Sequence, residues 1–234
     1  MDRLSQVLAR IAQASLEAGS AQPARLVAVS KTIPVPVLLS TYEAGQRVFG
    51  ENYVQEIIEK APLLPLDIQW HFIGHLQNNK VQKLIDAVPN LWCVESVGSV
   101  KLASQLNTRW GSKPRAYKLR VFVQVNTSQE ESKDGATPED CRALVEHVLG
   151  KCDNLEFCGL MTIGKLGDAS STCFDLLATL KQQLLDANLP NCPNPDKFEL
   201  SMGMSGDFEL AIKSGATNVR VGSSLFGQRP AKPS

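Results

Sequence analysis

The residues able to do chemistry in this chain sit where short apolar runs give way to polar ones. Lys31 follows Arg25-Leu26-Val27-Ala28-Val29-Ser30 and precedes Pro34 and Pro36, which places it at the tip of a buried strand. A lysine there is either a solvated strand end or an amine held in a pocket. In a pocket, a depressed pKa would leave it neutral and able to attack an aldehyde. A second run ends in Gly50-Glu51-Asn52-Tyr53, where Asn52 either caps the next helix or faces the same pocket. His71 and His75 lie four apart, but on a strand running into a loop, whereas a histidine metal pair at that spacing needs a helix. Pocket lining or hydrogen bonding is therefore the reading for both. His147 falls in a predicted helix.

Two runs near the C-terminus complete the set. One ends in Ser201-Met202-Gly203-Met204-Ser205, and the other is Val219-Arg220-Val221-Gly222-Ser223-Ser224. Gly222 and Ser223 open a short predicted helix, whose unpaired N–H groups and dipole would receive an anion. Gly222 allows close backbone approach, and the hydroxyls of Ser201 and Ser223 can donate. The competing reading is a plain helix cap with no ligand.

These positions require a scaffold that gathers strand ends. Predicted strands run over 26–30, 47–50, 68–73, 91–94, 118–126, 155–162, 197–201 and 218–221. Predicted helices lie between them at 34–45, 52–60, 78–87, 97–109, 137–150, 170–187 and 206–214, with a leading helix over 2–18. Eight strand–helix units in 234 residues describe a (β/α)8 TIM barrel with an extra N-terminal helix, forming one domain over 1–234. An open doubly wound sheet would call for a glycine-rich turn after the first strand, and Lys31-Thr32-Ile33-Pro34 cannot supply one. In a closed barrel the first and eighth strands are neighbours, so Lys31 and the Gly222 turn would share one site. An amine beside a phosphate seat describes a pyridoxal 5′-phosphate site.

Composition narrows the setting. Lys+Arg and Asp+Glu both number 24, which argues against broad binding to nucleic acid or an anionic membrane. No apolar run reaches membrane-spanning length, and the N-terminus lacks the apolar core of a signal peptide. Six cysteines are scattered without a Cys-x-x-Cys pair, which fits a reducing cytoplasm and thiols used as small core residues.

The chain after its first helix resembles the pyridoxal phosphate homeostasis proteins. The motifs that carry the resemblance are Ala28-Val29-Ser30-Lys31-Thr32, the run from Phe49 to Glu56, and Trp70-His71-Phe72-Ile73-Gly74-His75-Leu76-Gln77. They continue with Val125-Asn126-Thr127-Ser128 through Lys133, Gly159-Leu160-Met161-Thr162, Leu200 to Ser205 and Val219 to Ser223. The resemblance implies a fold type III pyridoxal phosphate-binding barrel like the N-terminal domain of alanine racemase. It makes Lys31 the Schiff-base residue within a cofactor-binding set of Lys31, Asn52, Ser201, Met202, Arg220, Gly222 and Ser223. It also sets Arg220 toward the pyridine nitrogen, where an arginine keeps that nitrogen unprotonated and the ring a weak electron sink.

The racemases and decarboxylases of this fold class add a β-rich domain and work as dimers, whereas this chain ends soon after the eighth predicted strand. Racemisation needs an acid/base group on each face of the bound substrate, and the sequence offers Lys31 for one face only. The expectation is a cytoplasmic, monomeric protein without a catalytic apparatus. It would bind pyridoxal phosphate, buffer it and deliver it to apo-enzymes, and so influence amino- and keto-acid balance. The alternative is a pyridoxal phosphate-dependent racemase or lyase.

Overall fold

The computed structural model describes residues 2–130, 133–165, 167 and 170–227. Eight parallel strands close on themselves in the order of the sequence. They are β1 (Arg25–Val29), β2 (Val48–Glu51), β3 (Gln69–Phe72), β4 (Leu91–Val97), β5 (Leu119–Gln124), β6 (Leu155–Met161), β7 (Glu199–Ser201) and β8 (Asn218–Val221). The seam joins first strand to last, with Val27 opposite Arg220 and Ala28 opposite Val221. The expected barrel is therefore the observed one.

Helices fill the connections: α2 (Val35–Glu43), α3 (Val54–Lys60), α4 (Val81–Ala87), α5 (Val100–Gly111), α6 (Pro138–Lys151), α7 (Thr172–Asp186), α8 (Phe208–Lys213) and the single-turn α9 (Ser223–Phe226). Local chemistry sets their starts. Ser99 accepts the Leu102 N–H at the head of α5, and Thr137 accepts the Asp140 N–H ahead of Pro138 in α6. The leading helix α1 (Arg3–Glu17) buries Leu4, Val7, Ile11 and Ala14 at helical spacing, with Asp2 as its cap. It packs beside α8, where Arg10 pairs with Glu209 at 2.9 Å and Lys213 with Glu17 at 3.1 Å.

Strand alternation divides the core. Val121 and Val123 join the large apolar layer between sheet and helices, while Phe122 turns inward to a small cluster with Cys93, Cys158 and Met161. Two differences from the predicted elements bear on function. β4 runs to Val97, three residues beyond its expected end at Val94, so Glu95 lies within a strand. The cap of α3 is Tyr53 rather than Asn52, and no side chain bonds the helix start there. Within the motif that runs from Val125 through Lys133, residues 131 and 132 lie outside the described residues.

Candidate functional site

A cavity of about 550 Å³ opens at the C-terminal ends of the strands, where barrels place their chemistry. Val29, Ile73 and Ile163 give it apolar walls, and Lys31, Asn52 and Arg220 are among its polar lining. Gly222 and Ser223 line it from across the β1–β8 seam. The structure thus brings together Lys31, Asn52, Arg220, Gly222 and Ser223 from the expected set.

Lys31 rides on a fastened turn. Thr32, the next residue, holds a left-handed backbone (φ 63°), unusual for a β-branched side chain. Its N–H donates to Glu56 Oε2 at 2.7 Å. On the other side, Ser30 Oγ donates to Glu51 Oε1 at 2.8 Å. Lys60 Nζ ties both together, donating to the Ser30 carbonyl at 2.8 Å and to Glu51 and Glu56 at 2.6 Å each. Burial pushes the Glu51 carboxyl above its ordinary range, against the opposing pull of Lys60 and Ser30. Three ionisable groups from β2 and α3 therefore hold the residues on either side of Lys31.

Asn52 faces the cavity because β2 ends just before it and α3 takes its cap one residue later. Its Oδ1 is buried without a hydrogen-bond partner, an acceptor that a donor group on a bound ligand would satisfy.

Beyond the seam, the N–H groups of Gly222 and Ser224 converge on Ser205 Oγ at 3.1 and 3.3 Å. Ser205, whose hydroxyl oxygen these two backbone donors already engage, itself lines the cavity. A Cβ added to Gly222 would come within 3.3 Å of Val29 Cβ, so the seam is tight at this point.

Ser201 and Met202 lie elsewhere. β7 is only three residues long, and Met202 follows it with a fully buried side chain in the apolar core and its N–H on the Asn218 carbonyl. Met204 and Ser205 are the members of that motif on the cavity. Ser201 points into the lumen. Its oxygen accepts from Arg220 Nη1 at 2.6 Å and from Asn218 Nδ2 at 3.0 Å, and its one proton goes to Glu95 Oε2 at 2.5 Å. Arg220 Nη2 donates to the Thr162 carbonyl at 2.7 Å.

Glu95 is the residue that sequence reasoning missed. The available signal was a glutamate inside the otherwise apolar Leu91-Trp92-Cys93-Val94-Glu95-Ser96-Val97 run. Burial drives its pKa up. The hydrogen bond from His71, the charges of His71 and Arg220, and the Ser201 hydroxyl reverse this and hold it at about 2. An ionised Glu95 requires the proton of their 2.5 Å contact to sit on His71 Nδ1. The ligand atoms of His71, Cys93 and Glu95 lie within 4.8 Å of one another. Both Glu95 oxygens already accept hydrogen bonds and burial raises the Cys93 thiol well above its ordinary value, so His71 and Glu95 belong to a polar network and Cys93 to the apolar cluster beside it. His75 instead lines a separate cavity of about 350 Å³ and pairs with Asp134 at 2.8 Å, and His147 meets Ser104 Oγ at 2.8 Å.

Fold and site together define a closed barrel with a lysine at the mouth of its first strand, the architecture shared with the N-terminal domain of alanine racemase. The family model described as "Alanine racemase, N-terminal domain" matches residues 3–230. An alanine racemase from Corynebacterium glutamicum superposes with a TM-score of 0.65 at 16% identity, covering 97% of this chain and 63% of that one, which supports the fold.

The chain belongs to the pyridoxal phosphate homeostasis protein family. The human protein of that name is 49% identical over 97% of this chain and 83% of its own length. The Caenorhabditis elegans protein is 41% identical over 98% and 96%. PipY of Synechococcus elongatus, solved with pyridoxal phosphate bound, superposes with a TM-score of 0.75 at 34% identity, covering 93% of this chain and all of that one.

Proposed function

We propose that this protein binds pyridoxal 5′-phosphate reversibly on Lys31 and helps maintain the intracellular pool of that cofactor. The observation that carries the reading is the convergence of Lys31, after β1, and the Gly222 and Ser223 turn, after β8, on one cavity above buried Arg220. The residues fit the group. The cavity falls within the roughly 300–1,000 Å³ of small-molecule sites, Asn52 offers an unpartnered acceptor, and Ser205, Gly222 and Ser223 line it together at the head of α9. Membership of a family whose named relatives are homeostasis proteins, and a bound-cofactor relative, support the same conclusion.

When bound, the cofactor supplies an aldehyde that condenses with an amine and a ring that withdraws electrons. The chain's own residues define the rest. Lys31 presents the amine, on a turn held by Glu51, Glu56 and Lys60. Gly222 and Ser223 seat the phosphate, assisted by Ser205, while Asn52 and Arg220 orient the ring between apolar walls. Ser201 acts from the lumen through Arg220, and Met202 backs the site from the core.

The reading is of a carrier in a single barrel, working as a cytoplasmic monomer that passes the cofactor to apo-enzymes. Six unpaired cysteines accord with a reducing compartment. The racemase or lyase alternative needs a second acid/base group opposite Lys31. Among the described lining residues Asp207 is the one carboxylate, and it already accepts the Met204 N–H.

Borohydride reduction of the cofactor-loaded protein should mark one peptide, at Lys31, and Lys31→Ala should abolish both the mark and the visible absorption. Marking at another lysine would overturn the assignment. α-Proton exchange across L- and D-amino acids should not exceed the free-cofactor rate; faster exchange that vanishes in Lys31→Ala would replace the carrier with an enzyme. Gel filtration checks the monomer.

A further inference from the structure

Glu95 is fully buried, and its partners come from three other strands: His71 on β3, Ser201 on β7, and Asn218 and Arg220 on β8. β4 and β8 are not neighbours in the closed sheet, so these contacts cross the lumen. A carboxylate in that position is costly unless its charge is matched and its lone pairs are filled. Both conditions hold. Oε1 receives His71 and Asn218, Oε2 receives Ser201, and Arg220 Nη1 stands 3.9 Å from Oε2.

Hydrogen-bond direction along the chain is fixed by donor chemistry. Guanidinium and amide nitrogens can only donate, so the Ser201 oxygen accepts from Arg220 and Asn218, and its proton has one destination, Glu95. The guanidinium is thereby gripped at Nη1 by this relay and at Nη2 by the Thr162 carbonyl. The remaining N–H groups of the fork belong to a residue that lines the ligand cavity. Burial disfavours the Arg220 charge and Glu95 opposes that effect.

We propose that Glu95 is a positioning residue for the ligand site: acting through Ser201, it holds the Arg220 guanidinium at one orientation against the cavity and balances its charge. This rests on the pyridoxal phosphate reading above and deepens it. Glu95 touches no ligand itself. Its loss would leave Arg220 present but unaligned, with an unbalanced charge in the lumen.

The test is a mutant cycle read by pyridoxal phosphate retention and by the visible band of the loaded protein. Glu95→Gln keeps the shape and removes the charge. It should weaken retention about ten- to hundred-fold, the loss typical when a group orienting a contact residue is removed. Arg220→Gln should weaken it as much or more, and the double variant should be no worse than Arg220→Gln alone. The band should shift in the same direction in both single variants, and Glu95→Asp should recover part of the loss. Ser201→Ala breaks the relay with both charges in place, and should reproduce the shift even if Glu95→Gln fails to fold. Additive losses in the cycle, or a Ser201→Ala protein with unaltered band and retention, would overturn the proposal. Lack of cofactor binding by the unsubstituted protein would instead remove the functional reading beneath it.

Discussion

Lys31 draws its setting from residues outside its own strand. Ser30 and Thr32 are anchored by Glu51, Glu56 and Lys60, and Lys60 is the cation that lets two carboxylates approach the turn. Lys60→Met should therefore destabilise the protein by roughly 3–5 kcal/mol, the cost of removing one partner from a buried ion pair. The effect has a pH signature. The folded-state pKa of Glu51 is already raised, and losing Lys60 raises it further. A carboxyl with a raised folded pKa contributes stability at low pH that is lost as pH rises through that value. Urea midpoints of the variant should thus recover toward wild type on moving from pH 8 to pH 5; a pH-independent deficit would contradict this account. At this scale the sequence disclosed Lys31, because a lysine ending an apolar run is conspicuous. It concealed the clamp, because Lys60 looks like any residue of an amphipathic helix until α3 folds back over β2.

Elements decide which side chains reach the cavity. Asn52 is on it because β2 and β3 end side by side, and that proximity depends on Gly74. A Cβ at position 74 would sit 2.0 Å from the Asn52 carbonyl oxygen and 2.7 Å from its Cα, both backbone atoms with little room to yield. Gly74→Ala should cost about 3 kcal/mol, the upper end for overpacking, and lower cofactor retention by displacing Asn52. A variant with normal retention and a normal melt would show that the two loops are not coupled. Element boundaries were also the weakest part of the sequence reading. Ending β4 at Val94 left Glu95 in a presumed loop. Of the motif after β7 the expected set held Ser201, from its hydroxyl, and Met202, from the resemblance, whereas Met204 and Ser205 are its members on the cavity lining. Neither position follows from apolar periodicity, because the first turns on how far a strand continues into its neighbour's loop and the second on how short β7 is.

Over the whole molecule, the barrel itself was legible. Eight alternating units leave few ways to bury eight apolar strands, and closure follows. The lumen was not, since contacts between β4 and β8 join residues more than a hundred positions apart. That lumen should dominate acid stability. Glu95 is held at about 2 against an ordinary 4.5. A depressed carboxyl contributes stability that is full above its ordinary pKa and lost as pH falls through the folded value, here worth roughly 3 kcal/mol between pH 4.5 and 2. Asp2, Glu17, Asp86, Glu130 and Glu209 are also held below the ordinary range, but at the surface, where solvent screens their pairs. Glu51 works in the opposite sense, so the largest single share of the decline belongs to Glu95. Glu95→Gln should flatten it in urea melts taken at pH 5, 4 and 3. Thiol reactivity offers a second global check. Cys93, Cys141, Cys152, Cys158 and Cys173 are buried and Cys192 is partly exposed. A thiol reagent should therefore titrate one cysteine quickly in the native protein and the other five only on unfolding. Several fast thiols would mean a looser helical layer.

The seam between β1 and β8 also has a consequence in time. Lys31 leaves the ribosome seven strands before Gly222 and Ser223, and the two meet only when the eighth strand docks on the first. A growing chain thus carries Lys31 through the synthesis of β2 to β7 without the β8 turn that faces it across the seam. Nascent chains arrested before Asn218 should capture no more pyridoxal phosphate than an unfolded peptide, so cofactor uptake marks the completion of the fold.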